Sequence, residues 1–344
     1  MKARSANAAA APLRLDDEWR RWIAENLLLG APADELRRRL VERGCPAALA
    51  AAEVGAAENS PYLAGAAVLR ARLGKRDWLL NSYHRLASLE PTLNEVPVRH
   101  APPAEHFFRD HYATNRPVVL TGLVDHWPAR AGWSLDRLAA LPGDRTIEVQ
   151  TGRESDPAYE QRSDSHRTMM PLAALIERLR GDEPSNDFYV TANNGTHNRQ
   201  ALAPLWEDLG PISGYLVDDP ARDGFLWIGP AGTITPFHHD LTNNLLVQIK
   251  GRKRVTLVPP WDTPLMRNHA HCYSSWSGPQ ELQALPDGQR PALLTCTIGP
   301  GDALFLPVGW WHHVEALDMT MGMSFINFAR ANDFYAGYDF YGTV

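Results

Sequence analysis

A histidine and an aspartate that could bind a metal lie two positions apart in the stretch TPFHHD at residues 235–240. Alternate side chains of a β-strand face the same side, so His238 and Asp240 share one face and His239 lies on the other. One imidazole and one carboxylate on a rigid strand could hold a single metal ion. An aspartate beside apolar strand residues is costly to bury unless it is paired or metal-bound. This cost favours metal ligation over a structural hydrogen-bonded pair.

A third ligand is available later in the chain, where His312 and His313 follow an apolar run at residues 303–308. Adjacent strand residues face opposite sides, so only one of these histidines can join the first two ligands. Periodicity does not choose between them, because Pro-Val-Gly at residues 307–309 interrupts the strand pattern. Two imidazoles and one carboxylate on one side of an ion leave its other positions open, as in the facial triad of non-haem Fe(II) oxygenases.

A lysine gives separate evidence for an anionic ligand. After the turn at residues 251–252, alternation places Lys253 with aliphatic residues of its strand. A lysine on an apolar face is unfavourable unless it meets an anion, although that face could instead be external and solvated. A carboxylate-bearing cosubstrate inside a barrel would explain both the lysine and the metal ligands. Thr235, three residues before His238, could add a hydroxyl donor, and Tyr189 a phenol, although tyrosines are common in protein cores.

The elements that must position these residues are short strands. From residue 224 onward they follow one another closely, broken by Gly, Pro, Asp and Asn. Runs of short strands after helices predict a mainly β core of the jelly-roll (double-stranded β-helix, cupin-like) type with flanking helices, rather than a parallel α/β sheet. We expect a disordered tail at 1–14, an α-helical N-terminal module at 15–90, a proline-rich linker at 91–103 and the catalytic domain at 104–344.

The helical module carries apolar residues at helical spacing. Asp34 is expected to cap its second helix. The apolar residues between positions 62 and 89 are expected to form two successive helices. No constellation of charged residues with catalytic spacing occurs in this part of the sequence, so the module is interpreted as a packing or interaction element.

Composition excludes several classes of function. The formal net charge of −6 argues against a broad electrostatic contact with nucleic acid. The three cysteines form no CxxC pair and indicate free thiols in a reducing compartment. No stretch reaches the length of a membrane span, and the alanine-rich opening lacks the apolar run of a secretory signal. A soluble, cytoplasmic protein is therefore predicted.

Three motifs together resemble the JmjC-type, cupin-fold 2-oxoglutarate oxygenases. They are TPxHxD at 235–240, NLLxQxxGRKR at 244–254 and GDxLFxPxxWWHxV at 301–314. The likeness covers roughly residues 96–328 and does not include the helical module. The sequence is similar to the protein hydroxylase branch, which includes the asparaginyl hydroxylase that inhibits hypoxia-inducible factor.

The resemblance implies a role for each candidate residue. His238, Asp240 and His312 would be the iron ligands, which leaves His239 and His313 either to support those ligands or to be structural. The residues implied to contact the 2-oxoglutarate cosubstrate are Lys253 at its distal carboxylate, Thr235 and Tyr189 as assisting hydroxyls, and Asn244 and Asn327 beside the cosubstrate and the iron. Ala329 stands where the asparaginyl hydroxylase has a substrate-contacting tryptophan, so that enzyme's specificity does not transfer.

The implied function is an Fe(II)- and 2-oxoglutarate-dependent dioxygenase. It would use O2 to hydroxylate a C–H bond in a protein or peptide side chain and would release succinate and CO2. Two alternatives stay open: an N-methyl demethylase of the same family, and a non-oxidative metal-binding cupin that acts as an isomerase or ligand sensor. Lys253 discriminates against the second, which needs no internal cation. A small-molecule substrate and a homodimer are also left open.

Overall fold

The chain forms two compact units, Met1–Ser82 and Tyr83–Val344, in a computed structural model. The described residues are 15–181, 183–191, 195–217 and 224–342. The disordered tail expected at 1–14 lies outside them.

Three helices pack together in the first unit, and a fourth follows. They are α1 (Asp17–Leu28), α2 (Ala33–Glu42), α3 (Ala47–Glu58) and α4 (Pro61–Ser88). Residues buried among the first three helices are Ile23, Leu36, Leu40, Cys45, Ala50 and Val54. None of the helices in the described ranges combines the length and the apolar character needed to cross a lipid bilayer.

Two expectations about these helices are wrong. Pro32, not Asp34, is the N-cap residue of α2, and Asp34 lies in its first turn, where its charge still complements the helix dipole. The two helices expected between positions 62 and 89 are one continuous helix, α4. The glycine between the two apolar groups, Gly74, costs about 1 kcal/mol in a helix but does not end one.

The proline-rich segment is not a linker between the two units. It contains a 3-10 turn at Pro91–Asn94 and the strand β1 (Val98–His100), which pairs in parallel with β2 (Val118–Thr121). β1 is the edge strand of its sheet, where neighbouring prolines are tolerated. The chain therefore divides inside α4, between Ser82 and Tyr83.

The second unit is built around two six-stranded sheets. The first has the spatial order β1, β2, β13 (Ala303–Leu306), β8 (Asn244–Lys250), β15 (Thr320–Phe325) and β6 (Phe225–Gly229). The second has the order β10 (Asn268–Ala270), β11 (Tyr273–Ser274), β7 (Ile234–His239), β14 (Trp311–Ala316), β9 (Lys253–Val258) and β12 (Leu294–Ile298). β8 and β13 are almost continuous apolar runs because their residues are buried on both faces.

A smaller sheet and short helices flank these two sheets. The smaller sheet has the order β4 (Arg167–Pro171), β3 (Thr146–Thr151) and β5 (Phe188–Tyr189). The helices are α5 (Ala104–Phe107), α6 (Ala129–Gly132), α7 (Leu135–Ala139), α8 (Leu172–Leu179), α9 (Gly195–Ala201) and α10 (Pro279–Gln283). A mainly β core with flanking helices and helices N-terminal to it confirms the predicted fold class.

The hairpin turn between β8 and β9 depends on Gly251. Its φ is +71°, and an added Cβ would overlap the backbone oxygen of Met319. We expect Gly251→Ala to lower the free energy of unfolding by about 3 kcal/mol or more, because left-handed strain adds to this overlap.

Gly288→Ala is the matched control. Gly288 also has positive φ, +82°, but an added Cβ would meet nothing within 4 Å. Its cost should be the backbone strain alone, about 1 kcal/mol. Urea unfolding followed by circular dichroism measures both values, and equal losses for the two variants would contradict the predicted overlap.

Candidate metal centre

His238 on β7 and His312 on β14 face each other across an antiparallel strand pair. The register pairs them directly, and their ring centroids are 4.1 Å apart. Asp240 follows β7, with one carboxylate oxygen 3.8 Å from His238 Nε2 and the other 4.0 Å from His312 Nε2. Ligand atoms that each lie about 2.1 Å from one ion are at most about 4.2 Å apart. The three side chains therefore fit around a single metal ion.

Backbone carbonyl groups orient both imidazoles. Nδ1 of His238 lies 2.9 Å from the oxygen of Pro236, and Nδ1 of His312 lies 3.0 Å from the oxygen of Trp310. With Nδ1 donating its hydrogen to these oxygens, the Nε2 lone pairs are free to bind a metal. Burial lowers the pKa of His238, and the neighbouring His312 lowers it further. A low pKa favours the neutral form that metal binding requires.

The adjacent histidines lie outside this group. The ring of His239 packs edge-on against Trp311 at 4.7 Å, and the ring of His313 packs against Phe237 at 5.3 Å. Burial lowers the pKa of His313 to about 4. The structure thus brings together His312, and not His313, with the two residues of β7.

A pocket between the two large sheets contains the metal group at one end. Its space of about 450 Å³ includes a part that is open to solvent. Its lining residues are Tyr189, Trp227, Thr235, His238, Asp240, Asn244, Leu246, Lys253, Leu306, His312, Val314 and Ser324. Both large sheets contribute lining residues, so the pocket forms only when the two sheets pack together.

Lys253 is buried in this pocket, with 2% of its surface exposed. Nζ donates a hydrogen bond to the Tyr189 hydroxyl at 3.1 Å, and burial lowers the pKa of Lys253 to about 8. No carboxylate in the described part of the chain forms an ion pair with it. A buried cation with no internal counter-charge is costly, so it suits an anionic ligand.

Thr235 reaches the same pocket because β7 contains a bulge. Regular alternation would place Thr235 and His238, three residues apart, on opposite faces. His312 on β14 pairs with His238, and Val314, two residues later, pairs with Thr235, three residues earlier on β7. β7 therefore contains one extra residue between these pairs. The extra residue turns both side chains towards the pocket. Pro236, within the bulge, has no amide hydrogen to leave unpaired.

The structure separates the two asparagines of the predicted cosubstrate site. Asn244 lines the pocket, and its Nδ2 donates to Asp240 at 3.1 Å, which orients that carboxylate. Asn327 instead donates to the backbone oxygen of Val217 at 2.6 Å and lines a different cavity, beside Trp127. Asn327 lies just after the end of β15, and its side chain lies outside the pocket.

Sequence reasoning missed five residues of the pocket wall, and two of them, Trp227 and Ser324, carry polar side-chain atoms. The indole nitrogen of Trp227 donates to the Ser324 hydroxyl at 2.9 Å, across the paired strands β6 and β15. The only sequence signal was the alternation within the apolar strand of Trp227, which does not show which face is internal.

Two imidazoles and a carboxylate on one side of an ion, with a buried lysine in the same pocket, define a non-haem iron oxygenase of the kind that uses a dicarboxylate cosubstrate. The sequence comparisons agree with this class. Residues 103–333 match the cupin-like domain family. The chain is 34% identical over 224 residues to the human JmjC domain-containing protein 8, across 63% of this chain and 78% of that protein. It belongs to the JmjC-type, cupin-like family of Fe(II)- and 2-oxoglutarate-dependent oxygenases.

Other relatives are named for reactions on lysine. Identity to lysine-specific demethylase 8 of Xenopus tropicalis is 30% over 243 residues, which cover 67% of this chain and 52% of that protein. Identity to the human bifunctional peptidase and (3S)-lysyl hydroxylase JMJD7 is 26% over 269 residues, which cover 68% and 83%. The chain thus spans about half the length of the frog relative.

Proposed function

We propose that the protein is an Fe(II)- and 2-oxoglutarate-dependent hydroxylase that acts on a side chain of a protein or peptide. The observation that carries this proposal is Lys253, a buried ammonium group in the same pocket as the His238, Asp240 and His312 group. A cupin that only bound a metal, as an isomerase or sensor, would have no use for a desolvated cation there.

Different residues of the pocket would bind the metal and the cosubstrate. His238, Asp240 and His312 would hold the iron, which when bound supplies O2 activation coupled to the conversion of 2-oxoglutarate into succinate and CO2. Lys253 would pair with the distal carboxylate of the cosubstrate. Across β14 and β9, Lys253 pairs with Ala316, which lies four residues beyond His312 on β14 and so about 13 Å from it. An extended lysine side chain and a five-carbon dicarboxylate together span that distance.

Further groups would orient the cosubstrate and keep water out. We assign the hydroxyls of Thr235 and Tyr189 to the distal carboxylate, and Asn244 to the orientation of Asp240. Leu246 and Leu306 form apolar walls that would exclude water from the reacting centre. Asn327 has no place in this assignment because it lines another cavity.

A protein substrate is supported by the names of the relatives, a lysine demethylase and a lysyl hydroxylase. N-methyl demethylation is the second candidate, favoured by the first of these names. Both reactions begin by hydroxylating a C–H bond, and hydroxylation of an N-methyl group then releases formaldehyde. The pocket described above serves either reaction.

The proposal is tested by incubating the full chain with Fe(II), 2-oxoglutarate and the proteins of a cell lysate. We expect peptides that gain one oxygen atom, together with succinate, and neither with Asp240→Ala. Mass spectrometry locates the modified side chain. Loss of methyl groups with release of formaldehyde would identify the demethylase instead. Succinate formation that is equal in wild type and Asp240→Ala would refute the proposal.

The compartment and the oligomeric state are further proposals. The three cysteines are free thiols, which supports a reducing compartment, and we assign the protein to the cytoplasm on that basis. The homodimer left open by the sequence stays a prediction. Exposed apolar side chains of α4, including Tyr62, Leu69 and Trp78, are its candidate surface.

A further inference from the structure

Arg153 is a buried cation that lies directly behind the cosubstrate pocket, with 1% of its surface exposed. We propose that Arg153 is a positioning residue, which sets the hydroxyls of Tyr189 and Thr235 for the distal carboxylate of the cosubstrate. This inference rests on the proposed function, because it takes 2-oxoglutarate to be the molecule that binds there. Arg153 is absent from the described lining of the pocket, so it acts through these two residues.

The first connection is through the ring of Tyr189. The guanidinium carbon of Arg153 lies 5.1 Å from the centroid of that ring and 4.3 Å from the centroid of the Tyr159 ring. Nε and Nη1 have no hydrogen-bond partner among the described residues, so the contacts of this part of the guanidinium are with the two aromatic rings. The Tyr189 ring also lies against Gly229, where an added Cβ would be 2.6 Å from ring carbon Cδ2. Contacts with Arg153 and Gly229 therefore restrict where the ring can lie.

Tyr189 lines the pocket and has a hydroxyl hydrogen that it can donate there. The Tyr189 oxygen accepts a hydrogen bond from Lys253 Nζ, so its own hydrogen is available for a carboxylate. A cation against the ring also strengthens the phenol as a donor. In the free protein, burial raises the pKa of Tyr189 and the charge of Arg153 opposes that rise.

The second connection is through the peptide group that precedes Thr235. Arg153 Nη2 donates to the backbone oxygen of Ile234 at 2.7 Å, and the Tyr159 hydroxyl donates to the same oxygen at 2.9 Å. The amide of Ile234 donates to the side chain of Asn186 at 2.8 Å. These three bonds fix the start of β7, so that the bulge presents Thr235 to the pocket.

The charge of Arg153 is balanced outside the pocket. Nη2 forms an ion pair of 2.9 Å with Glu160, whose side chain is 9% exposed. Lys253 therefore remains the cation that meets the cosubstrate. Removing Arg153 alone would leave a buried, unpaired carboxylate close to Tyr189, which would repel a dicarboxylate as well as release the ring.

The experiment compares two ligands on the Mn(II)-loaded full chain by calorimetry. 2-Oxoglutarate has the distal carboxylate, and pyruvate has the same 2-oxo acid group without it. We expect Arg153→Met to raise the Kd of 2-oxoglutarate about tenfold, the effect of losing a hydrogen bond to a charged group, and the Kd of pyruvate less than about twofold. Arg153→Lys should give a partial loss, because it keeps the charge but not the planar group between the rings.

Two further comparisons separate positioning from a general structural role. In a Tyr189→Phe, Thr235→Val background, adding Arg153→Met together with Glu160→Gln should change the Kd of 2-oxoglutarate less than about twofold, since the hydroxyls that Arg153 positions are gone and no unpaired carboxylate remains. Arg145→Met is the matched control, because the partly buried Arg145 donates to the backbone oxygen of Ala201, away from Tyr189 and Ile234 in the sequence. It should bind both ligands as the wild type does.

The calorimetry distinguishes failure of the proposed function from failure of the Arg153 inference. Wild type that does not bind 2-oxoglutarate would refute the proposed function. Two results with a wild type that binds 2-oxoglutarate would overturn the inference. In the first, Arg153→Met binds 2-oxoglutarate as tightly as the wild type does. In the second, Arg153→Met weakens pyruvate binding as much as 2-oxoglutarate binding. If Arg153→Met does not fold, two other variants give the same comparisons. One is Arg153→Lys, and the other is the double variant Arg153→Met, Glu160→Gln, which removes the unpaired carboxylate.

Discussion

We expect His312→Ala to lose metal binding and 2-oxoglutarate turnover, whereas His313→Ala, one residue further along β14, should retain both. His312 faces His238 and Asp240 across the strand pair, and its Nδ1 is held by a backbone oxygen. Loss of a residue that only supports a metal ligand already costs about 10- to 100-fold in affinity, so loss of the ligand itself should cost about 100-fold or more. His313 packs against Phe237 on the other face, so its removal should reduce stability and leave metal affinity within about twofold.

The measurement is the Mn(II) dissociation constant from calorimetry, together with succinate formation in the presence of Fe(II). The two variants delete the same side chain at neighbouring positions, so they differ mainly in the face they alter. Circular dichroism confirms that each protein is folded before binding is measured. The assignment of the triad would be refuted by His313→Ala losing the metal while His312→Ala keeps it.

The metal group shows how far strand periodicity can predict a site. The two-residue spacing of His238 and Asp240 placed them on one face, and the structure brings both to the same pocket. Periodicity could not choose between His312 and His313, because that choice depends on the register between β14 and β7. Register is a property of two strands distant in sequence, so one strand's pattern does not contain it.

Strand periodicity does not predict the positions of the Thr235 and Asn327 side chains. Thr235 lies on the wrong face for a regular strand and reaches the pocket through a bulge that its own sequence marks only by Pro236. Asn327 has the expected spacing after the last strand, yet its side chain bonds to Val217 and lines another cavity. In both cases local backbone geometry, and not residue type, decides where the side chain points.

The fold followed more directly from the sequence than the site did. Short strands separated by Gly, Pro and Asn predicted the mainly β core, because turns and edges require these residues. The length of α4 was missed because its apolar residues were interpreted as two successive helices. Arg153 was missed altogether, since a single arginine in a polar stretch has no periodic signal. Its burial becomes visible only when residues 153–160 fold against β7.

We expect Lys253→Met to raise the Kd of 2-oxoglutarate by about 100-fold or more, because it deletes the buried charge that would meet the distal carboxylate. The wild type should also lose affinity as pH rises. Burial lowers the pKa of Lys253 to about 8 in the free protein. Below that pH the ammonium is charged and the Kd is constant. Above it, each pH unit should raise the Kd up to about tenfold, since binding must first restore the proton.

Calorimetry between pH 6 and pH 10 on the Mn(II)-loaded protein measures this dependence, and pyruvate and Lys253→Met are the controls. Pyruvate lacks the distal carboxylate, so any change in its Kd with pH reports the metal group alone. Lys253→Met has no ammonium to titrate, so its Kd for 2-oxoglutarate should follow the pyruvate curve. The wild-type curve should bend away from both near pH 8. A wild-type Kd that runs parallel to the pyruvate curve up to pH 10 would mean that Lys253 does not bind the cosubstrate, because the pyruvate curve already contains every change at the metal group.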